Sequence, residues 1–258
     1  MSNTFRDRWV VLVLLACSVT LFRIEPAAAV QNRTVDAFAT ELLERMGEFV
    51  QTAEKFTYSV TAVHAETLDD GLPFALATEI RVAVRRPDRF WVDVRSEEVH
   101  NRFLYDGETI QLQHLMANLY ATAPAPATID AALQRMEEKL GIFIPLADFI
   151  ASEPYERMMD GVEAVTYLGL DDVEGVSCHH LFVQQDELDW EIWIEDGRVL
   201  VPRKLVFDFK NDEGDPTFAA LLSDWDFSPH LPDAVFTQGP PLGARRIDLR
   251  ELTGDGTP

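Results

Sequence analysis

The sequence is poor in cysteine and in basic residues: its 258 residues include 2 Cys, and 22 Lys and Arg stand against 44 Asp and Glu. The net charge of −22 repels nucleic-acid phosphates and anionic lipid headgroups, so no nucleic-acid partner is expected. Phosphate-binding glycine loops and Gly-x-Ser-x-Gly nucleophile motifs are absent as well, and we predict neither a cofactor nor a bound metal. Hydrophobic residues, in contrast, make up 47% of the chain, which is enough for a substantial core.

The N-terminus has the composition of a secretory signal. Arg6 and Arg8 precede an apolar run over residues 9–22, and three alanines follow at 27–29. The run is about 14 residues long, whereas a membrane-spanning helix needs roughly 20. We therefore predict a signal peptide over residues 1–29 and an exported, periplasmic chain that has no integral membrane segment after cleavage.

Cleavage at this site should give an exported protein that begins at Val30, which N-terminal sequencing checks. The stretch 14–17 also resembles a lipobox, so the alternative is a chain whose Cys17 carries lipid and anchors it to a membrane. A mature chain that begins at a lipidated Cys17 would contradict the first prediction. With either cleavage Cys178 is the one free thiol, which excludes an internal disulfide.

The first half of the chain changes from a helical to an extended periodicity. Apolar residues spaced three and four apart predict an amphipathic helix over residues 34–53, with Thr34 as its N-cap and Phe38 in its apolar stripe. From Phe56 onward, apolar and polar residues alternate with a period of two. About six antiparallel strands are predicted there before a second helix begins.

The middle of the chain has a different pattern. Prolines predict an extended connection over residues 121–128, a helix begins near Thr128, and the apolar stretch 142–159 is predicted to form short helices. Strand periodicity resumes after Gly161. Because no Gly- or Ser-rich linker separates these parts, we predict a single α+β domain over residues 30–258, dominated by an antiparallel sheet.

Several short phrases of the sequence resemble a known family by their order and spacing. In the first half they lie at 82–90, 105–109 and 118–121 and resemble paired strands of the lipoprotein-carrier (LolA-like) superfamily. In the second half they lie at 175–181, 190–194, 202–204, 236 and 241–244 and resemble one branch of it, a family of predicted periplasmic proteins with a domain of unknown function. The resemblance extends over about residues 35–250.

This resemblance implies a particular shape and class of function. The fold would be a curved antiparallel sheet, an incomplete β-barrel or half-barrel, with helices covering its concave face. The superfamily uses that shape to hold acyl chains or lipidated partners. The resemblance does not imply an enzyme, and it defines no ligand for the nearest branch.

The run Cys178, His179, His180 is the part of the sequence most suggestive of chemistry. On a strand, Cys178 and His180 share a face and His179 points away. Two ligands on one face are fewer than a zinc site needs, and neither an orienting group nor an oxyanion site is legible. We interpret the three residues as structural, and the alternatives are a metal- or redox-sensitive site or a hydrolase centre at Cys178 and His180.

The predicted function is to bind an apolar ligand without catalysis. The segment 129–159 is the best covering element for the concave face, and its Leu146, Phe149 and Ile150 are predicted to line an apolar pocket together with Phe207 and Trp225. The expected partner is an apolar small molecule, a lipid or a lipidated protein. The alternative is an interaction or sensor protein of the same fold, whose core is filled by its own side chains.

Overall fold

The computed structural model describes residues 35–67, 73–210 and 217–248. The predicted signal peptide and Cys17 lie outside these residues. The helices are α1 (Ala37–Gln51), α2 (Ile129–Leu140) and α3 (Pro154–Met159), with 3₁₀ turns at Ala147–Phe149 and Asp233–Val235. None of the described helices has the length and apolar character needed to cross a membrane.

Twelve strands are found in the described residues. They are β1 (Lys55–Thr67), β2 (Pro73–Arg85), β3 (Arg89–Arg95), β4 (His100–Tyr105), β5 (Thr109–His114), β6 (Leu119–Pro124), β7 (Val162–Val173), β8 (Val176–Gln185), β9 (Leu188–Glu195), β10 (Pro202–Phe209), β11 (Thr217–Asp226) and β12 (Arg245–Arg246). They form one open sheet in the order β12-β6-β5-β4-β3-β2-β1-β11-β10-β9-β8-β7.

The two halves of the chain meet in the middle of this sheet. β1 pairs with β11, and neighbouring strands are antiparallel except for β12, which runs parallel to β6. The sheet does not close, so β12 and β7 are its edges. The prediction of an α+β fold built on a curved antiparallel sheet with covering helices is confirmed.

The sheet has an inner and an outer face, because alternate residues of a strand point to opposite sides. Phe56, Tyr58 and Val60 of β1 point to the inner face, where they belong to one continuous core with residues of α1, α2 and both halves of the sheet. We call residues 129–159, which include α2, the first 3₁₀ turn and α3, the covering segment. It lies on the inner face together with α1.

The chain after β11 crosses the outer face of the first half. Arg85 Nη1 donates to Leu231 O at 2.9 Å, and Gln111 Nε2 donates to Gln238 O at 2.8 Å. β12 then adds to the edge of β6. This short strand was not predicted, because two exposed arginines carry no apolar alternation.

The first helix begins later than predicted. Its N-cap is Asp36, whose Oδ1 accepts from Phe38 N at 2.9 Å and from Ala39 N at 3.2 Å, so the prediction of Thr34 as the cap is wrong. This carboxylate accepts hydrogen bonds from two backbone amides that have no partner within the helix. Its negative charge also interacts favourably with the positive end of the helix dipole. Phe38 then falls in the first turn and is 46% exposed, outside the buried stripe to which it was assigned.

The helix predicted near Thr128 is confirmed. The Thr128 side chain accepts from Ala131 N, and Gly141 ends α2 in the left-handed conformation with a φ of 61°. The connection predicted over residues 121–128 is shorter than expected, because β6 continues to Pro124 and pairs with β5. Pro124 is the last residue of that strand, a position at which its missing N–H costs little.

Candidate functional site

The covering segment contains three of the residues predicted to line a pocket. Leu146, Phe149 and Ile150 are 8%, 2% and 0% exposed and belong to the continuous core. Regular structure is sparse here: Ile150 N donates to Ala147 O at 2.9 Å, and Leu146 has a φ of 57°, which is unfavourable for a residue with a side chain. Side-chain packing therefore holds this part of the segment on the sheet.

Trp225 contacts this part of the segment from the sheet. Its ring stacks on Tyr58 with 4.4 Å between centroids, and Phe149 meets it edge-on at 6.5 Å. The ring of Phe227 also stacks on that of Trp225, with 5.8 Å between centroids. The indole Nε1 of Trp225 donates a hydrogen bond to Pro202 O at 3.2 Å. The structure thus brings two of the predicted residues, Phe149 and Trp225, into one aromatic cluster.

A β-bulge turns Trp225 toward the inner face. Leu222 of the same strand points inward, so simple alternation would direct Asp224 inward and Trp225 outward. The pairing of β11 with β1 shifts between Thr57 and Ser59, and Asp224 takes a positive φ of 54°. The extra residue reverses the alternation and places the indole beside Tyr58.

Phe207 lies on the inner face as well, but away from Trp225. Its ring is 5.9 Å from that of Phe218, and both rings pack, partly buried, against the continuous core. Phe207 lies roughly 17 Å along β10 from Pro202, whose carbonyl oxygen accepts the hydrogen bond from the Trp225 indole. The inner face therefore carries two aromatic groups, one beneath the first 3₁₀ turn and one further along the strands.

Two polar side chains of the aromatic cluster were not predicted. Tyr58 is 2% exposed, and its hydroxyl has no hydrogen-bond partner in the part of the chain that the structure describes. Burial together with the charge of Asp148 raises the pKa of Tyr58. Arg86, in the turn after β2, lies 5.6 Å over the ring of Phe56, and its Nη1 donates to Ile150 O at 3.0 Å. Burial lowers the pKa of Arg86.

Cys178 lies on the outer face in a small apolar cluster. It is 0% exposed and packs with Val173 and Trp193. The Sγ atom donates to Val176 O at 3.4 Å, and burial raises the pKa of the thiol to about 11. A thiol with so high a pKa carries little thiolate at neutral pH, which disfavours reactivity.

The neighbouring histidines point to opposite faces, as strand alternation predicts. His180 stacks on Trp193 at 4.0 Å on the outer face, and its Nε2 is 2.5 Å from Glu191 Oε2. His179 Nδ1 is 3.0 Å from the hydroxyl of Tyr167, on the side of α1. In the part of the chain that the structure describes, no three His, Cys, Asp or Glu side chains are grouped to hold a metal ion.

The raised pKa of Cys178 predicts an alkaline loss of stability. The thiol ionises near pH 9 in the unfolded chain but only near pH 11 in the folded one, so its contribution is complete below pH 9 and is lost as the pH rises to 11. Between pH 9 and pH 11, the free energy of unfolding should fall by up to about 2 kcal/mol more in wild type than in Cys178→Ala. Urea unfolding at each pH measures the difference.

The same variant tests the structural role of the cysteine. At pH 7, Cys178→Ala should cost about 1 kcal/mol and leave ligand binding unchanged. If the unfolding free energies of wild type and Cys178→Ala changed equally with pH between 9 and 11, the burial of the thiol would be contradicted. Stoichiometric zinc that is lost in Cys178→Ala or His180→Ala would contradict packing as the role of these residues.

Among known protein families, the predicted periplasmic proteins (DUF2092) match residues 39–250. The match includes most of the chain and all the second-half phrases that resembled such a family. The chain belongs to this family. Its description agrees with the periplasmic location predicted from the N-terminus, whereas lipidation at Cys17 stays an alternative. No curated protein matches the sequence.

Solved structures with a similar fold come from several bacteria. An uncharacterized conserved protein of Thermus thermophilus is 11% identical, with 82% of this chain and 99% of that chain covered and a TM-score of 0.49. LprF of Mycobacterium bovis is 15% identical (77% and 98% covered, TM-score 0.43). A LolA superfamily protein of Nitrosomonas europaea is 12% identical (78% and 97% covered, TM-score 0.38). These TM-scores are below 0.5, and nothing about a ligand follows from them.

Proposed function

We propose that this protein binds an apolar ligand, such as an acyl chain, between the inner face of its sheet and the covering segment. The observation that carries the proposal is the aromatic cluster of Phe149, Trp225 and Tyr58 beneath the part of the covering segment that follows α2, where the helical elements are very short. The first 3₁₀ turn has 3 residues and α3 has 6, so few backbone hydrogen bonds stabilise this cover by itself.

Weak local structure makes such a cover easier to displace than the sheet beneath it. A segment held by side-chain packing opens at a lower free-energy cost than strands held by a continuous ladder of hydrogen bonds. An apolar ligand that replaces the packed side chains restores the buried contact area, which offsets the cost of opening. We therefore expect the covering segment to move when the ligand enters.

The second aromatic group, formed by Phe207 and Phe218, extends the apolar surface available to the ligand along the sheet. Phe207 and Phe218 are partly exposed on the inner face, although they pack against the same core as the buried cluster. An extended acyl chain would contact them at one end and the cluster around Trp225 at the other. All five predicted pocket residues would then contact one elongated ligand.

An interaction protein with a filled core is the second candidate. It is favoured by the burial of Leu146, Phe149 and Ile150, which already occupy the space between cover and sheet. Its inner face would bind no acyl chain, and partners would meet the outer surface. A hydrolase centred on Cys178 is disfavoured, because the thiol is buried and its pKa is raised to about 11.

Binding of a fluorescent fatty acid separates the two candidates. We expect the delipidated mature protein to bind the probe, and native mass spectrometry of protein taken from its own compartment to show a bound lipid. Phe207→Asp should weaken probe binding at least about tenfold, since a carboxylate opposes an apolar contact. Val206→Asp is the matched control, because Val206 is the adjacent residue and packs in the outer-face cluster.

Two results would contradict this proposal. Wild-type protein that binds no probe after delipidation would favour the filled-core candidate. Equal weakening by Phe207→Asp and Val206→Asp would show that the probe does not lie on the inner face. Thermal unfolding of both variants gives their folded fractions under the conditions of the assay.

A further inference from the structure

The guanidinium of Arg86 has hydrogen-bonding capacity that the described residues do not use. Its Nη1 donates to Ile150 O at 3.0 Å, whereas Nε and Nη2 are buried and have no hydrogen-bond partner among those residues. Nε and Nη2 lie on one edge of the planar group, with the two parallel N–H bonds that match a carboxylate. Leaving such donors buried and unpaired is costly, so their arrangement favours an acceptor supplied from elsewhere.

An acidic side chain near these donors has another partner. Asp130, which acts electrostatically on Arg86, accepts from Ser152 N at 2.9 Å. Its carboxylate is not hydrogen-bonded to the free edge of Arg86.

We infer that Arg86 forms the head-group site for a long-chain carboxylic acid, whose carboxylate binds the free edge of the guanidinium. The inference rests on the proposed function, because the acyl chain of this ligand would lie along the apolar inner face. It adds the chemical class of the ligand: a free fatty acid is preferred to a neutral lipid of the same length.

The test compares two ligands that differ only in the head group. Hexadecanoic acid and hexadecan-1-ol compete with a fluorescent acyl probe for the delipidated mature protein. Because hydrogen bonds to charged groups contribute more than neutral ones, the acid should bind at least about tenfold more tightly than the alcohol. Arg86→Gln should reduce this acid-to-alcohol ratio, while affinity for the alcohol stays within about twofold.

Two further variants sharpen the comparison. Arg86→Lys keeps the charge but loses the planar pair of donors, so the ratio should fall between those of wild type and Arg86→Gln. Arg85→Gln is the matched control, because Arg85 lies on the outer face, where it is hydrogen-bonded to Leu231 O and paired with Asp233. The acid-to-alcohol ratio of this variant should equal that of wild type.

The outcomes distinguish this inference from the proposed function. Equal binding of acid and alcohol by wild type would overturn the head-group site and leave an apolar pocket without head-group selectivity. An acid preference that persists in Arg86→Gln would also overturn it. Binding of neither ligand by wild type would overturn the proposed function, and the head-group site with it.

Discussion

Phe149→Asp is expected to lower the free energy of unfolding by more than about 4 kcal/mol, a large share of the roughly 5–15 kcal/mol by which an ordinary domain is stable. Phe149 is 2% exposed, and its ring meets that of Trp225 edge-on at 6.5 Å. The substitution removes this buried ring and places a carboxylate in an apolar environment, where ionisation is strongly unfavourable. Urea unfolding followed by tryptophan fluorescence measures the loss.

Phe143→Asp is the control for this prediction. Phe143 belongs to the same segment, six residues earlier, but is 58% exposed. Its replacement should change the free energy of unfolding by less than about 1 kcal/mol, as surface substitutions do. If Phe149→Asp were as mild as the control, the covering segment would be loosely packed and Phe149 would not be anchored in the core.

This large expected loss also determines where ligand binding is best tested. A variant that unfolds loses binding whatever the position of the ligand, so Phe149→Asp alone cannot locate a pocket. Phe207 is partly buried and lies apart from the cluster beneath the first 3₁₀ turn. For this reason Phe207→Asp, with Val206→Asp beside it, separates the loss of a contact from the loss of the fold.

The sequence predicted the sheet well because burial on one face leaves a clear signal. In β1, Phe56, Tyr58 and Val60 are buried while the intervening residues are more exposed, which is the period of two that the sequence shows. The ends of elements were harder to predict. Thr34 and Asp36 are both good caps, and only the geometry of the chain at β7 decides between them: Asp36 N donates to Val165 O at 2.9 Å.

The candidate site was predictable only in part. The covering segment is dense in apolar residues between two prolines, so the burial of Leu146, Phe149 and Ile150 could be predicted from sequence, whereas their role in a pocket stays a prediction. The inward direction of Trp225 depends on a bulge at Asp224, which no periodicity reveals. The unpaired donors of Arg86 and Tyr58 could not be predicted at all, since the lack of a partner depends on every neighbouring residue.

Gly47→Leu is expected to lower the free energy of unfolding by about 3 kcal/mol, because α3 packs against α1 at this residue with no room for a side chain. A Cβ atom at Gly47 would lie 2.6 Å from the Cβ and 3.0 Å from the N of Tyr155. The second of these atoms belongs to the backbone of α3, so no rotation of a side chain relieves the overlap. Because α3 ends the covering segment, its displacement should also raise the binding of a dye that reports exposed apolar surface.

Gly47→Ala decides whether close approach or helix propensity dominates at this position. In an exposed helix interior, alanine is more favourable than glycine by roughly 1 kcal/mol. Here the overlap with Tyr155 should outweigh that gain, so Gly47→Ala is expected to be less stable than wild type by about 1 kcal/mol. Glu48→Leu, at the adjacent exposed position of α1, should change stability by less than about 0.5 kcal/mol. An increase in stability in Gly47→Ala would mean that α3 shifts away from α1 at little cost, and that the covering segment is displaced more easily than its packing on α1 implies.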